Sequence, residues 1–152
     1  MKIFASFTAF GFAVLLSTAG LAEGVLTTKS ANDFATTKTK LVESIKAKNF
    51  GIVAEVDHAA GAVGAGLQLR PTHLVIFGNP RGGTPLMGCS QEVGLDLPLK
   101  ALVWQAADGA VNVSVTSAAF IASRHKISAC AEAPLANMGK ALEGIVADAT
   151  KQ

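Results

Sequence analysis

Residues 99–116 read Leu-Lys-Ala-Leu-Val-Trp-Gln-Ala-Ala-Asp-Gly-Ala-Val-Asn-Val-Ser-Val-Thr, and this stretch decides the fold. Leu99 to Gln105 and Val111 to Val115 are segments rich in strand formers. Between them Ala107-Asp108-Gly109-Ala110 places Asp-Gly, the dipeptide that supplies the positive φ angles of a tight hairpin turn. Two strands joined in this way are antiparallel. Val111, Val113 and Val115 alternate with Asn112, Ser114 and Thr116, the two-residue period of a strand with one face in a core.

Upstream, Thr72 to Phe77 is apolar on both faces, which predicts a central strand. Phe50, Ile52, Ala54 and Val56 alternate with Val53, Glu55 and Asp57, so a further strand is expected with the first set turned inward. Ahead of it, Ser30-Ala31-Asn32-Asp33 fits the capping box that opens a helix. Phe34, Leu41, Val42 and Ile45 make that helix's apolar stripe, and Asn49 and Gly51 mark its end. Gly24 to Lys29 opens the domain. Ala59 to Gly66, with glycines at 61, 64 and 66, reads as a flexible connection. The glycine- and proline-punctuated Gly78 to Pro98 reads as a crossing over the surface. Downstream, a short helix is expected from about Ser117 to Lys126. A longer one opens at Pro134, with Leu135, Met138, Leu142, Ile145, Val146 and Ala149 on one stripe. The order β-α-β4-α, with helices on one face of a single mostly antiparallel sheet, is α+β.

The chain has 152 residues, enough for one domain with a core; half are hydrophobic and 16% charged, which excludes disorder. The formal net charge of +2 has no clustered basic excess, so nucleic acid is not an expected partner. Lys2 is the only charge before Glu23, Ile3 to Leu16 is apolar, and Ser17 to Ala22 is small and polar. Residues 1–22 therefore read as a signal peptide cut after Ala22, with a retained anchor as the competing reading. The apolar run of roughly 14 residues falls short of the ~20 needed to span a bilayer. Residues 23–152 are then one exported domain, periplasmic or secreted, with no membrane span of its own.

Five short motifs stand in order: Asp57-His58, Arg70-Pro71-Thr72, Phe77-Gly78-Asn79-Pro80, Gly83-Thr84-Pro85-Leu86-Met87 and Leu95-Asp96-Leu97-Pro98-Leu99-Lys100. Together they resemble the domain of unknown function 302 family over nearly the whole mature chain. The resemblance implies a TATA-binding-protein-like α+β fold and a homodimer, and it supplies no reaction and no catalytic residue.

Asp57, His58, Arg70, Asn79, Asp96, Lys100 and His125 fall at strand ends or inside these motifs, where loops gather. They are the candidate ligand-binding residues. A carboxylate beside an imidazole would make Asp57-His58 or His125 a general acid or base, and Arg70 or Lys100 would hold an anion. The bland reading pairs Arg70 with Asp57 or Asp96 and lets the histidines cap loops. Gly78 to Thr84 lacks the Lys-Ser/Thr of a nucleotide loop, though its glycines and Arg81 could cradle an anion through backbone amides. His58, His73, His125, Met87 and Cys89 are soft ligands without metal-site spacing, so neither metal nor cofactor is expected. Cys89 and Cys130, in an exported chain, form either a disulfide or two buried thiols. Trp104 and Phe77 either line a pocket or pack the core. The function expected is a non-enzymatic, homodimeric binding domain for a small polar or anionic ligand. The alternatives are the acid–base enzyme and a structural partner of another envelope protein.

Overall fold

The computed structural model describes residues 24–152, so the leader read over residues 1–22 lies outside the described residues. Five strands, β1 (Val25–Lys29), β2 (Gly51–Asp57), β3 (Thr72–Gly78), β4 (Leu99–Gln105) and β5 (Val111–Thr116), form one sheet in the order β1-β5-β4-β3-β2. Every neighbouring pair is antiparallel. Five helices accompany them: α1 (Phe34–Ala47), α2 (His58–Gly64), α3 (Pro80–Cys89), α4 (Ala118–His125) and α5 (Glu132–Thr150), with a 3-10 turn at Gln91–Leu95. The α+β class and the single antiparallel sheet are as expected, whereas α2 and α3 interrupt the expected β-α-β4-α order.

The core lies between the sheet and the helices α1 and α5. Val75, Phe77, Val103 and Val113 on the sheet, with Leu41 on α1 and Ile145 on α5, are completely buried. All six residues of the α5 stripe are buried, as are Val111, Val113 and Val115. The hairpin turns at Gly109, whose φ of 84° is the left-handed geometry that its glycine permits. β4 is the middle strand of the five; β3 lies between it and β2, and its second face is only half-buried.

Four expectations are corrected. The strand at β2 does not keep its alternation. Ile52 stands opposite Phe77, but Val53 is an extra bulged residue, so Ala54 and Val56 face Ile76 and Leu74 on the uncovered face while Glu55 and Asp57 turn to the helical side. The connection after β2 is helix α2. Asp57 caps it by accepting from the Ala60 amide, and the Leu67→Ala62 and Gly66→Val63 bonds close it, with Gly66 at φ 73°. The crossing from residue 78 to 98 holds helix α3 and the 3-10 turn, anchored by fully buried Leu86 and Val93. Pro80 sits at the first helical position, where an amide is not needed, and Asn79 caps the Arg81 amide, so the punctuation is tolerated. Finally, the cap of α1 is Asp33, which accepts from Thr36. Ser30 instead bonds the Thr37 hydroxyl at 2.7 Å.

Asn49, at φ 62°, ends α1 as anticipated, with Phe50 bonded back to Ile45. Phe77 packs the core edge-on to Phe50, ring centroids 5.6 Å apart, whereas Trp104 stands on the uncovered face and donates to the Ser114 hydroxyl. Cys89 and Cys130 are disulfide-bonded, tying the end of α3 to the chain just before α5. A loop of this size stabilises by about 4 kcal/mol in the chain-entropy model. Replacing both cysteines by serine is expected to lower the unfolding free energy by roughly 2–4 kcal/mol, measured by urea denaturation of oxidised wild type against the variant.

Candidate functional site

The seven polar residues singled out in the sequence go to opposite ends of the sheet. At one end, Asp57 caps α2 and the Arg70 Nε donates to the Gln105 carbonyl at 3.1 Å. His58 opens α2, exposed and without a polar partner among the described residues. Asp57 therefore does not orient the neighbouring imidazole. At the other end lie Asn79, Asp96, Lys100 and His125. Asp96 accepts from His125 Nε2 at 2.6 Å on one oxygen and pairs with Arg124 at 3.4 Å on the other, while the Lys100 ammonium donates to the Pro98 and Asp96 carbonyls. This cluster ties the turn before β4 to the end of α4, where a cation also suits the helix dipole. Of the two imidazoles weighed for a carboxylate partner, His58 has none from Asp57, whereas His125 is held by Asp96.

The third histidine, His73, is buried on β3, with Nε2 on Glu55 at 2.8 Å and Nδ1 without a partner. The three histidines are thus held in three separate settings. Among the described residues no three His, Cys, Asp or Glu side chains gather as metal ligands.

An open groove of about 840 Å³ lies elsewhere, between α3, the start of β2, the segment before β4 and the exposed side of α5. Its apolar lining comes from Phe50, Val53, Met87, Leu97, Leu99 and Met138, with prolines 80, 85, 98 and 134. Gly83 lets α3 approach closely, since a β-carbon there would stand 3.3 Å from Leu97 Cδ1. Of the seven expected site residues only Asn79 lines this groove, and its side chain is committed: Oδ1 accepts from Arg81 and Nδ2 donates to the Asn49 carbonyl. The amides of Gly82 and Gly83 both bond the Asn79 carbonyl. The backbone cradle imagined for an anion is therefore already occupied by the chain itself.

What remains is side-chain charge. Two cations, Lys48 and Arg81, line the groove, and no carboxylate or imidazole does. Lys48 is paired with Asp148 at 2.6 Å, its stem crossing Gly144, whereas Arg81 is exposed and its guanidinium has no partner among the described residues. Arg81 was legible as the charge of a glycine-rich turn. Lys48, Val53 and Met138 were not, because their meeting depends on the packing of three distant elements.

The family model "Domain of unknown function DUF302" matches residues 26–145. Fluoride-specific ion channel FluC 1 from Brucella suis is 41% identical over 104 residues, 68% of this chain and 41% of the channel sequence. FluC 1 from Brucella abortus matches at the same identity over 38% of its length. The chain thus spans about two fifths of the channel sequences it matches. A crystal structure of an uncharacterized conserved DUF302 protein from Bacillus stearothermophilus superposes with a TM-score of 0.76. It is 21% identical and covers 84% of this chain and 99% of that one, so the fold is shared.

Asp148 provides a pH handle. Hydrogen bonds from Lys48 and then from Ser44 hold its carboxyl below the usual aspartate range. It therefore binds a proton less readily folded than unfolded, and the stability it contributes is present above its ordinary range and lost as pH falls through the lower folded value. Asp148→Asn is expected to be less stable than wild type near neutrality, with the difference shrinking below about pH 4; urea denaturation of both across pH 2.5–7 measures it.

Proposed function

Because the chain belongs to the DUF302 family, which brings a fold and no reaction, we propose its function from the groove: an exported, non-enzymatic domain that binds a small anionic molecule there. The carrying observation is a mostly apolar groove of about 840 Å³ whose side chains include two cations and no acid or imidazole. That volume is within the ordinary range for small-molecule sites, roughly 300–1,000 Å³. Acid–base catalysis by His58 or His125 would need that imidazole to face the substrate, and neither is among the lining residues. Export follows from the reading of residues 1–22. No described helix is long and apolar enough to cross a membrane.

The homodimer implied by family resemblance belongs to the same proposal. Leu74, Ile76, Leu102 and Trp104 are half-exposed on the face of the sheet turned away from α1 and α5, and an uncovered apolar face favours association. Sedimentation equilibrium is expected to give twice the chain mass for wild type and a monomer for Leu102→Lys.

The binding reading is tested with 1-anilinonaphthalene-8-sulfonate, an apolar anion. Saturable binding at one site per chain is expected, weakened at least about tenfold by Ala141→Trp, which fills the groove, and unchanged by His58→Ala and His125→Ala. Undiminished binding to a folded Ala141→Trp protein sinks the reading, and a turnover abolished by His125→Ala replaces it with the enzyme.

A further inference from the structure

We propose that the groove takes an amphipathic monoanion, an aliphatic carboxylate with its head on Arg81 and its tail along the apolar walls. This rests on the groove being the binding site. The charge follows from what is left unmatched: the Lys48 ammonium is neutralised by Asp148 at 2.6 Å, so Arg81 is the one lining cation without a counter-charge among the described residues. One free guanidinium, with its planar fork of donors, matches one carboxylate.

The amphipathic character follows from how the lining is divided. Arg81 and Thr84 are three residues apart and so share a face of α3, and neither side chain has a polar partner among the described residues. The wall from β2 and from the segment before β4 offers Phe50, Val53, Leu97 and Leu99, with no side-chain donor or acceptor. Val53 is there because it is the bulged residue, released from the pairing register of the sheet and 62% exposed. A compact, fully polar anion would leave this wall wet, and a neutral hydrocarbon would desolvate Arg81 without pairing it. A chain with one charged end satisfies both. The occupant is a free soluble molecule rather than a lipid in a bilayer.

Calorimetric titration of the mature, disulfide-bonded protein with butyrate, hexanoate, octanoate, octylammonium and phosphatidylglycerol vesicles tests the assignment. Affinity is expected to rise up to about fourfold per methylene from butyrate to octanoate. Octylammonium is expected to bind at least about tenfold more weakly than octanoate, and Arg81→Gln to cost octanoate about tenfold and erase that preference. The assignment is overturned if octylammonium matches octanoate, if Arg81→Gln leaves octanoate unchanged, if chain length has no effect, or if only the vesicles bind. Ala141→Trp separates the two levels. Octanoate binding that survives in this variant refutes the groove itself, whereas binding of 1-anilinonaphthalene-8-sulfonate that this variant abolishes, without any octanoate binding in wild type, refutes the carboxylate alone.

Discussion

One layer of side chains holds this domain together. The sheet is twisted over α1 and α5 on one side, and its central positions, Val75, Phe77, Val103 and Val113, have no access to solvent. Such a layer is filled from both sides at the density of an organic solid, so each wall fixes the other. α5 contributes the longest run, with Leu142, Ile145, Val146 and Ala149 all buried, and its inner face is spent on the sheet and on α1. Its outer flank is what the groove uses. The site is therefore a by-product of where the core stops: α3 covers only part of α5, and the uncovered stretch beside Met138 and Ala141 becomes a wall.

The parts of the fold that were legible are those in which a period survives intact. The hairpin declares itself through Asp108-Gly109 and the alternation of β5, and α5 through a stripe that repeats from Leu135 to Ala149. Alternation at β2 misled after Val53, because one inserted residue inverts every side chain beyond it and no residue type announces the insertion. α2 was hidden by its glycines, although the Asp57 cap and the Gly66 stop were both present in the sequence. α3 was hidden by its prolines, which fall where they cost little. Helix existence in these two segments depends on caps at both ends and on the burial of Leu86, and only the caps can be read locally.

The candidate site was less legible than the fold for a related reason. Polar side chains at strand ends looked like a constellation, and the chain uses most of them on itself: Asp57 and Asn79 on helix amides, Arg70 and Lys100 on carbonyls, Asp96 on the Arg124 guanidinium and the His125 ring in the last turn of α4. A backbone group that leaves water must find a partner, and motif residues at element ends are the nearest supply. Function is then to be sought in the polar group that the framework has not used. Among the groove's charged side chains that is Arg81, in the first turn of α3, a helix whose glycines and prolines suggest flexibility and whose capping gives it a fixed geometry.

The bulge at Val53 has a second face. β2 is an edge of the sheet, and a regular edge strand offers its row of amides and carbonyls to any other extended chain. A seven-residue strand interrupted at its third position cannot be matched along its length by a straight partner, because the spacing of its outward groups breaks where the extra residue sits. The irregularity that turns a valine toward the groove thus also acts as a gatekeeper against runaway strand addition in a protein with 50% hydrophobic residues. The interrupted edge and one wall of the groove both come from the same insertion.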